Sequence, residues 1–202
     1  MPLLDGVPPR LWIGNAVTIS THYDVADNIA CVVAGRRRFT LFPPEQVGNL
    51  YVGPLEHTIS GQPVSMVDLD APDHDRFPRF AEAQAAALVA DLEPGDAIYV
   101  PTLWWHHVRS AERFNLLVNY WWSGERDGSA FECLMHGLLA IRDLPEAERE
   151  SWRAFFDHFV FRPPADAVEH LPVEARGVLG PRSPARASLI REFLVRALTR
   201  RR

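Results

Sequence analysis

Hydrophobic and polar positions follow one pattern in the first part of the chain and another in the last. From Leu11 to about Trp122, short apolar runs alternate with polar residues and are separated by turns that contain Gly or Pro, which is typical of β-strands. From Ala130 onwards, apolar residues recur every three or four positions, which indicates helices. The pattern changes in the polar segment 123–129. We therefore predict a β-rich domain over residues 1–124 and a helical extension over residues 125–202.

Three stretches carry the clearest strand signals. The segment Asn28–Pro44 predicts two short strands joined as a hairpin at Ala34-Gly35-Arg36. The turn Glu93–Asp96 leads into an apolar run, Ala97–Pro101, which predicts a buried strand. A final strand is predicted over Asn115–Trp122. Between these groups the pattern is ambiguous, because the alanines of residues 81–92 favour a helix while the apolar run before the Pro-Gly turn fits a strand equally well.

Apolar spacing predicts three helices in the extension. The first lies around Leu134 to Ile141, the second runs from Trp152 to Phe159 and ends before Pro163, and the third runs from about Ser183 to Arg200. The third helix carries an apolar stripe formed by Leu189, Ile190, Phe193, Leu194 and Leu198. This stripe packs either on its own domain or on the same helix of a second subunit, and the sequence leaves both interpretations open.

Composition narrows the class of protein. A chain of 202 residues that is 47% hydrophobic can bury one sizeable core. The net charge of −5 argues against general nucleic-acid binding, because non-specific binding to phosphates needs a positively charged surface. Cys31 and Cys133 form no disulfide framework, and the sequence shows neither a membrane-spanning run nor a signal peptide. We therefore expect a cytoplasmic protein with no membrane partner.

A candidate metal site comes from two distant motifs. His22 and Asp24 are two residues apart, so on a strand both side chains point to the same face. With a third ligand they can form the triad of two histidines and one carboxylate that holds iron. Chance alone predicts about one His-x-Asp/Glu triplet in a chain with 8 His and 26 Asp+Glu, so the triplet needs support from its surroundings. The run Trp104–His107 offers such support, since His106 follows Asp24 by 82 residues (106 − 24).

An ordered series of motifs resembles the cupin-like JmjC proteins, and among them most closely the asparaginyl hydroxylases of the factor-inhibiting-HIF type. The series covers Pro9 to Gly124 and comprises Leu11-Trp12-Ile13-Gly14, His22-Tyr23-Asp24, Phe42-Pro43-Pro44, Val67-Asp68, Arg76-Phe77-Pro78, Pro94-Gly95-Asp96, Trp104-Trp105-His106-His107 and Val118-Asn119-Tyr120-Trp121. The resemblance implies a mainly β fold, the double-stranded β-helix. It also implies a dioxygenase that uses Fe(II), 2-oxoglutarate and O2 to hydroxylate a side chain of a protein or peptide.

The resemblance also assigns roles to single residues. It implies His22, Asp24 and His106 as the iron ligands, with His107 facing away from the metal. The family pairs the distal carboxylate of 2-oxoglutarate with a lysine, and the matching position in this sequence is Arg37, which keeps the charge but changes its geometry. Alternation supports this assignment, because Arg37, Phe39 and Leu41 share a strand face that Arg36 and Arg38 do not. The other predicted cosubstrate-binding residues are Asn28, Asn119 and Trp121.

Two departures from the family keep other functions open. Ile19 occupies a position that often offers a hydroxyl to the cosubstrate, and Met1 lies only a few residues before the first matching motif, as expected of an N-terminally truncated member. The alternative function is a non-catalytic cupin-like module that retains metal and works by binding a partner or by forming a homodimer through its C-terminal helices. A third is a cupin enzyme that uses metal without 2-oxoglutarate. Formation of succinate would separate the first function from the other two.

Overall fold

A computed structural model describes residues 4–56, 61–124 and 127–199. The chain divides into two compact units, Met1–Gly124 and Glu125–Arg202. The first unit is built from eight strands, and the second from helices. The predicted fold class is confirmed, since the protein is mainly β with two antiparallel sheets followed by C-terminal helices.

The eight strands form two four-stranded antiparallel sheets. Their bounds are β1 Pro9–Gly14, β2 Val17–Tyr23, β3 Asp27–Ala34, β4 Arg37–Phe42, β5 Leu88–Leu92, β6 Ala97–Val100, β7 Trp105–Ser110 and β8 Asn115–Trp122. The strand order is β1-β8-β3-β6 in the first sheet and β2-β7-β4-β5 in the second. The main core lies between the sheets. Its buried members come from both, with Ala30, Val32, Val100 and Leu117 from the first sheet and Phe39, Leu41, Leu92 and Val108 from the second.

The predicted hairpin between β3 and β4 is wrong. Both strands exist, but β3 pairs with β6 and β8 while β4 pairs with β5 and β7, so the turn carries the chain from one sheet to the other. Gly35 in this turn has a positive φ of 73°. A Cβ atom at Gly35 would overlap the side-chain oxygen of Asn115 and lie 2.8 Å from the carbonyl oxygen of Phe114. A glycine is therefore needed at this crossover, for its φ and for the space.

The ambiguous segment 81–92 contains both a helix and a strand. Helix α1 spans Phe80–Ala85 and is followed directly by β5. Phe80 and Ala83 of this helix are buried in a second apolar cluster with Phe42, Leu50, Val67 and Trp105. The helix thus packs against one side of the second sheet. The alanine-rich part of the segment forms the helix, and the apolar run after it forms the strand, as the propensities of their residues favour.

The second unit contains the three predicted helices. Helix α2 spans Ala130–Ala140, α3 spans Glu146–Phe156 and continues into a π-helical turn over Asp157–Phe161, and α4 spans Pro184–Thr199. Arg200, the predicted end of the third helix, lies outside the described residues. Among the described residues of this unit only Ala167, Val168 and Ala187 are buried. No described helix combines the length and the apolar character needed to cross a membrane.

Candidate metal centre

The structure brings His22, Asp24 and His106 together at one end of the second sheet. His22 lies near the end of β2 and pairs directly with His106 on β7, while Asp24 follows immediately after β2. The candidate ligand atoms of the three residues all lie within 4.8 Å of one another. The Nε2 atom of His106 is 3.7 Å from an oxygen of Asp24, and the two imidazole centroids are 4.3 Å apart. Two nitrogen donors and one carboxylate at this spacing can hold a single metal ion.

A β-bulge in β2 helps to aim the first histidine. The register of β2 against β7 shifts between Ile19 and His22, which are three residues apart. In a regular strand such residues face opposite sides, but Ile19 contacts the main core and His22 faces His106. The extra residue of the bulge lets both side chains point to the inside. Ile19 thus fills core space at the position where the family often has a hydroxyl group.

Backbone carbonyls orient both imidazoles. The Nδ1 atom of His22 lies 2.8 Å from the carbonyl oxygen of Ser20, and Nδ1 of His106 lies 3.0 Å from that of Trp104. A carbonyl oxygen only accepts hydrogen bonds, so this geometry assigns the proton of each neutral ring to Nδ1. The lone pair of each Nε2 is then available for a metal ion.

Burial sets the charge of the two innermost ligands. The pKa of His106 is lowered from 6.5 to about 4, mainly because burial desolvates the ring and to a lesser extent because of its interaction with His22, while the hydrogen bond to Trp104 acts in the opposite direction. His106 is therefore neutral near pH 7, as a metal ligand must be. Desolvation raises the pKa of Asp24, while electrostatic interactions with His22 and Arg10 oppose the increase. A buried carboxylate beside two imidazoles gains a counter-charge when a divalent cation binds.

The loop before β7 is tied to the aspartate. The backbone N–H of Leu103 donates to the carbonyl oxygen of Asp24 at 2.8 Å. Leu103 has a φ of +64°, a strained conformation for a residue with a branched side chain. The strained loop holds Asp24 and, through the next residue, the carbonyl of Trp104 that orients His106. Strain of this kind is often found at functional sites.

His107 lies on the opposite face of β7 from His106. It pairs with Thr40 and, with Phe42 and Val89, lines a separate pocket of about 270 Å³. Burial lowers the pKa of His107, and the carboxylates of Asp70 and Asp68 oppose this. The strand alternation that turns His106 towards Asp24 therefore turns His107 away from the triad.

Arg37 is a buried cation on the inner face of β4. Its exposure is only 6%, burial lowers its pKa, and its Nε has no hydrogen-bond partner among the described residues. Arg36 and Arg38 differ, because each is exposed and pairs with a carboxylate, Glu112 and Asp91 respectively. An unpaired buried guanidinium is costly, so its place is best explained by an anion that binds there.

Other buried polar atoms of the β-rich unit also lack a hydrogen-bond partner. The buried polar side-chain atoms without a partner among the described residues are Asn28 Oδ1, Arg37 Nε, Asn115 Oδ1 and Trp121 Nε1. Three of these four belong to residues predicted to bind the cosubstrate. The fourth predicted residue, Asn119, is buried and accepts a hydrogen bond from Nε1 of Trp12 at 3.0 Å. Polar atoms are rarely left unpaired inside a core, so each of these atoms is a candidate contact for a polar ligand.

Comparison with known proteins settles the family. The profile of the cupin-like domain matches residues 6–128, which is more than half of the chain. The chain belongs to the cupin-like domain family. The matched segment contains both sheets, the candidate triad and every predicted cosubstrate-binding residue of this cupin-like domain.

Curated relatives of the cupin-like domain include JmjC proteins. The tRNA wybutosine-synthesizing protein 5 of Mus musculus is 33% identical over 147 residues, which cover 64% of this chain and 44% of that protein. The lysine-specific demethylase JMJ31 of Arabidopsis thaliana is 36% identical over 114 residues, which cover 56% and 20%. The Jumonji C domain-containing protein 5 of Drosophila melanogaster is 35% identical over 114 residues, which cover 56% and 27%. The chain thus spans less than half the length of these relatives. They support the JmjC type, while the narrower resemblance to asparaginyl hydroxylases stays a prediction.

Sequence reasoning missed two residues beside the site of the cupin-like domain. Arg10 and Trp12 lie on β1, where they pair with Asn119 and Leu117 of β8. The guanidinium carbon of Arg10 lies 4.4 Å from the centre of the Trp121 ring, and Trp12 donates to Asn119. Alternation in the run Pro9–Gly14 was the available signal, because it places Arg10 and Trp12 on one face.

Proposed function

We propose that this cupin-like domain is an Fe(II)- and 2-oxoglutarate-dependent dioxygenase that hydroxylates a side chain of a protein or peptide. The observation that carries the proposal is the cluster of His22, Asp24 and His106, with ligand atoms within 4.8 Å of one another. Two histidines and one carboxylate on one side of a metal leave other positions free for a cosubstrate and O2. The two unpaired cysteines, Cys31 and Cys133, fit a cytoplasmic location.

The residues of the site fit both Fe(II) and 2-oxoglutarate. His22 and His106 would offer Nε2, and Asp24 a carboxylate oxygen, to Fe(II). Arg37 would pair with the distal carboxylate of 2-oxoglutarate. The strand register supports these separate roles for the triad and Arg37. His106 pairs with Leu41, and Arg37 lies four residues before Leu41 on the same face of β4, roughly 13 Å from it along the strand. The arginine side chain and the small dicarboxylate can span this distance between them.

Iron(II) with 2-oxoglutarate and O2 supplies the oxidation of a C–H bond to C–OH, with succinate and carbon dioxide as the other products. The protein contributes orientation and a dry interior. Asn28 and Asn119 would hydrogen-bond the cosubstrate or a water molecule, and Trp121 and Phe39 would help to wall the pocket. These roles explain why buried polar atoms in this interior lack protein partners.

A tRNA nucleoside is a second candidate substrate, and the name of one group of relatives favours it. The relative from Mus musculus is a tRNA wybutosine-synthesizing protein, whereas others are named lysine-specific demethylases. The net charge of −5 gives no general affinity for RNA, so we retain the protein or peptide side chain as the first candidate.

The alternative function is a non-catalytic module that retains the metal and works by binding or dimerisation. Ile19 favours it, because this residue contacts the core and offers no hydroxyl group to a cosubstrate. The two functions predict different results. A dioxygenase forms succinate from 2-oxoglutarate, whereas the non-catalytic module binds metal and forms no succinate.

An anaerobic titration tests the proposed function. The purified chain is titrated with Fe(II) and 2-oxoglutarate, and the weak visible charge-transfer band of the chelate is recorded. We expect a band in the wild type and none in Asp24→Ala, whose metal site lacks its carboxylate. Asp75→Ala is the matched control, since Asp75 is an exposed aspartate and should leave the band unchanged.

The outcomes separate the candidate functions. A band that depends on Asp24, followed by succinate release in air, supports the dioxygenase. Tight iron binding without a band favours the metal-retaining module. No iron binding in the wild type contradicts both.

A further inference from the structure

Arg10, which has no role in the proposed binding of metal or cosubstrate, lies beside the predicted cosubstrate pocket. Arg10 is exposed on β1, and its guanidinium carbon lies 4.4 Å from the centre of the Trp121 ring. Its register partner is Asn119 of β8, one of the residues predicted to line the cosubstrate pocket. Arg10 therefore lies beside two residues of the predicted cosubstrate pocket.

The charge of Arg10 is unpaired. Among the described residues, no carboxylate forms an ion pair with it, although Arg36, Arg38 and Arg109 each have one. An arginine stacked on an indole keeps the N–H groups at its edge free, and stacking fixes the plane in which they point. Such a guanidinium is already oriented to accept a carboxylate or phosphate group through two parallel hydrogen bonds. Trp121 adds a second donor, because its Nε1 is buried and unpaired among the described residues.

We propose that Arg10 is a specificity residue that binds an anionic group of the primary substrate, a carboxylate or a phosphate, next to the reacting carbon. This inference rests on the proposed function, because it assigns the anion to the substrate of that same site. Arg10 and Arg37 would bind different anions, one from the substrate and the other from 2-oxoglutarate. Arg37 is buried on β4 and takes the cosubstrate, whereas Arg10 is exposed on β1 and takes a group that arrives from solvent.

The competing explanation is that Arg10 only protects a strand edge. β1 ends the first sheet, and charged side chains on such a strand prevent pairing with other chains. In that case any exposed charge would serve, and the position over Trp121 would have no effect on anions. Binding of simple anions therefore distinguishes the two explanations.

The test measures anion binding by NMR rather than turnover. The full chain is loaded with Zn(II), which is redox-inactive, and saturated with 2-oxoglutarate so that the metal and Arg37 are occupied. Inorganic phosphate is then titrated and followed by ³¹P line broadening, and ¹³C-labelled acetate is titrated in parallel. The variants are Arg10→Gln, Arg10→Lys and, as a matched control at another exposed arginine, Arg113→Gln.

We expect the wild type to bind at least one of the two anions and Arg10→Gln to bind it about tenfold or more weakly, since it loses a charge-assisted hydrogen bond. Arg10→Lys should fall between them, because lysine keeps the charge but not the planar fork. Arg113→Gln should match the wild type. Tighter binding of phosphate or of acetate identifies which anionic group the substrate carries. Equal binding by the wild type and Arg10→Gln, or no binding by the wild type, would overturn the proposal.

A separate measurement keeps this result distinct from the proposed function. Calorimetry on the same samples records the binding of Zn(II) and 2-oxoglutarate. If neither binds while phosphate binding still depends on Arg10, the anion site stands and the dioxygenase proposal fails. If both bind normally in Arg10→Gln while the anion is lost, both proposals are supported.

Discussion

At the scale of single residues, the candidate site combines an apolar core with polar atoms that the protein does not pair. Arg37 is the strongest case, because the residue is only 6% exposed and its Nε lacks a hydrogen-bond partner among the described residues. Its neighbours Arg36 and Arg38 are exposed and paired with carboxylates. Of three consecutive arginines, only Arg37 is thus buried without a carboxylate partner among the described residues.

Replacement of Arg37 should weaken cosubstrate binding. In Arg37→Gln we expect the 2-oxoglutarate concentration that gives half of the charge-transfer band to rise about ten- to hundredfold, because charge-assisted hydrogen bonds to the distal carboxylate are lost. Arg37→Lys should lose less, since it keeps the charge. Arg38→Gln is the control on the other face of β4. A similar loss in Arg38→Gln, or none in Arg37→Gln, would contradict the assignment.

The buried His106 predicts how stability depends on pH. Its pKa falls from 6.5 to about 4 in the folded chain, so between these values the unfolded chain binds a proton that the folded chain does not. The metal-free chain should therefore lose stability as the pH falls from 6.5 towards 4, by at most about 3 kcal/mol. The raised pKa of Asp24 acts in the opposite direction at the acidic end. The loss is thus clearest just below pH 6.5.

Denaturant unfolding at several pH values measures this effect. His106→Asn removes the titrating group and should flatten the dependence on pH, while His170→Asn, at an exposed histidine, should retain it. If the dependence is equally steep without His106, another group is responsible.

At the scale of the elements, the crossover between β3 and β4 is the most constrained turn. Gly35 has a φ of +73°, and a Cβ atom there would overlap Asn115, which is fully buried in β8. Gly35→Ala should therefore lower the free energy of unfolding by about 2–4 kcal/mol, from the strained φ and the displaced neighbour together. Denaturant unfolding is the measurement. Gly48→Ala is the control, because no atom lies within 4 Å of a Cβ at Gly48, and it should change stability far less.

This turn also shows which parts of the fold could be predicted from sequence. The strands on both sides of Gly35 were predicted, because alternation is a local property. Their pairing was not, since a short glycine turn is compatible with a hairpin and with a crossover between sheets. The bulge between Ile19 and His22 was hidden for the same reason, because it depends on the register against β7. The metal triad was predicted through a family resemblance, and spacing alone could not have joined His22 to His106. Arg10 was missed because its neighbours Asn119 and Trp121, both on β8, are distant from it in the sequence.

At the scale of the whole molecule, the described residues of the helical unit bury few apolar side chains. Among its described residues only Ala167, Val168 and Ala187 are buried, and all are small or medium in size. Large apolar side chains on α3 and α4 stay exposed, including Phe155 at 57% and Phe193 at 66%. Exposed apolar area of this extent is typical of a surface that another chain covers. We therefore predict a homodimer formed through the C-terminal helices.

A charge placed within the apolar stripe of α4 tests the homodimer. Leu194→Arg should release monomers, because a guanidinium buried without a partner in an apolar interface costs several kcal/mol. Mass in solution, measured by light scattering over a range of concentrations, reports the change. Glu192→Arg is the control, since it adds an arginine at an exposed polar position of the same helix and should leave the dimer intact. An unchanged mass in Leu194→Arg, or a monomeric wild type, would contradict the prediction. Because the metal centre lies wholly within Met1–Gly124, Leu194→Arg should still give the charge-transfer band, which separates assembly from chemistry.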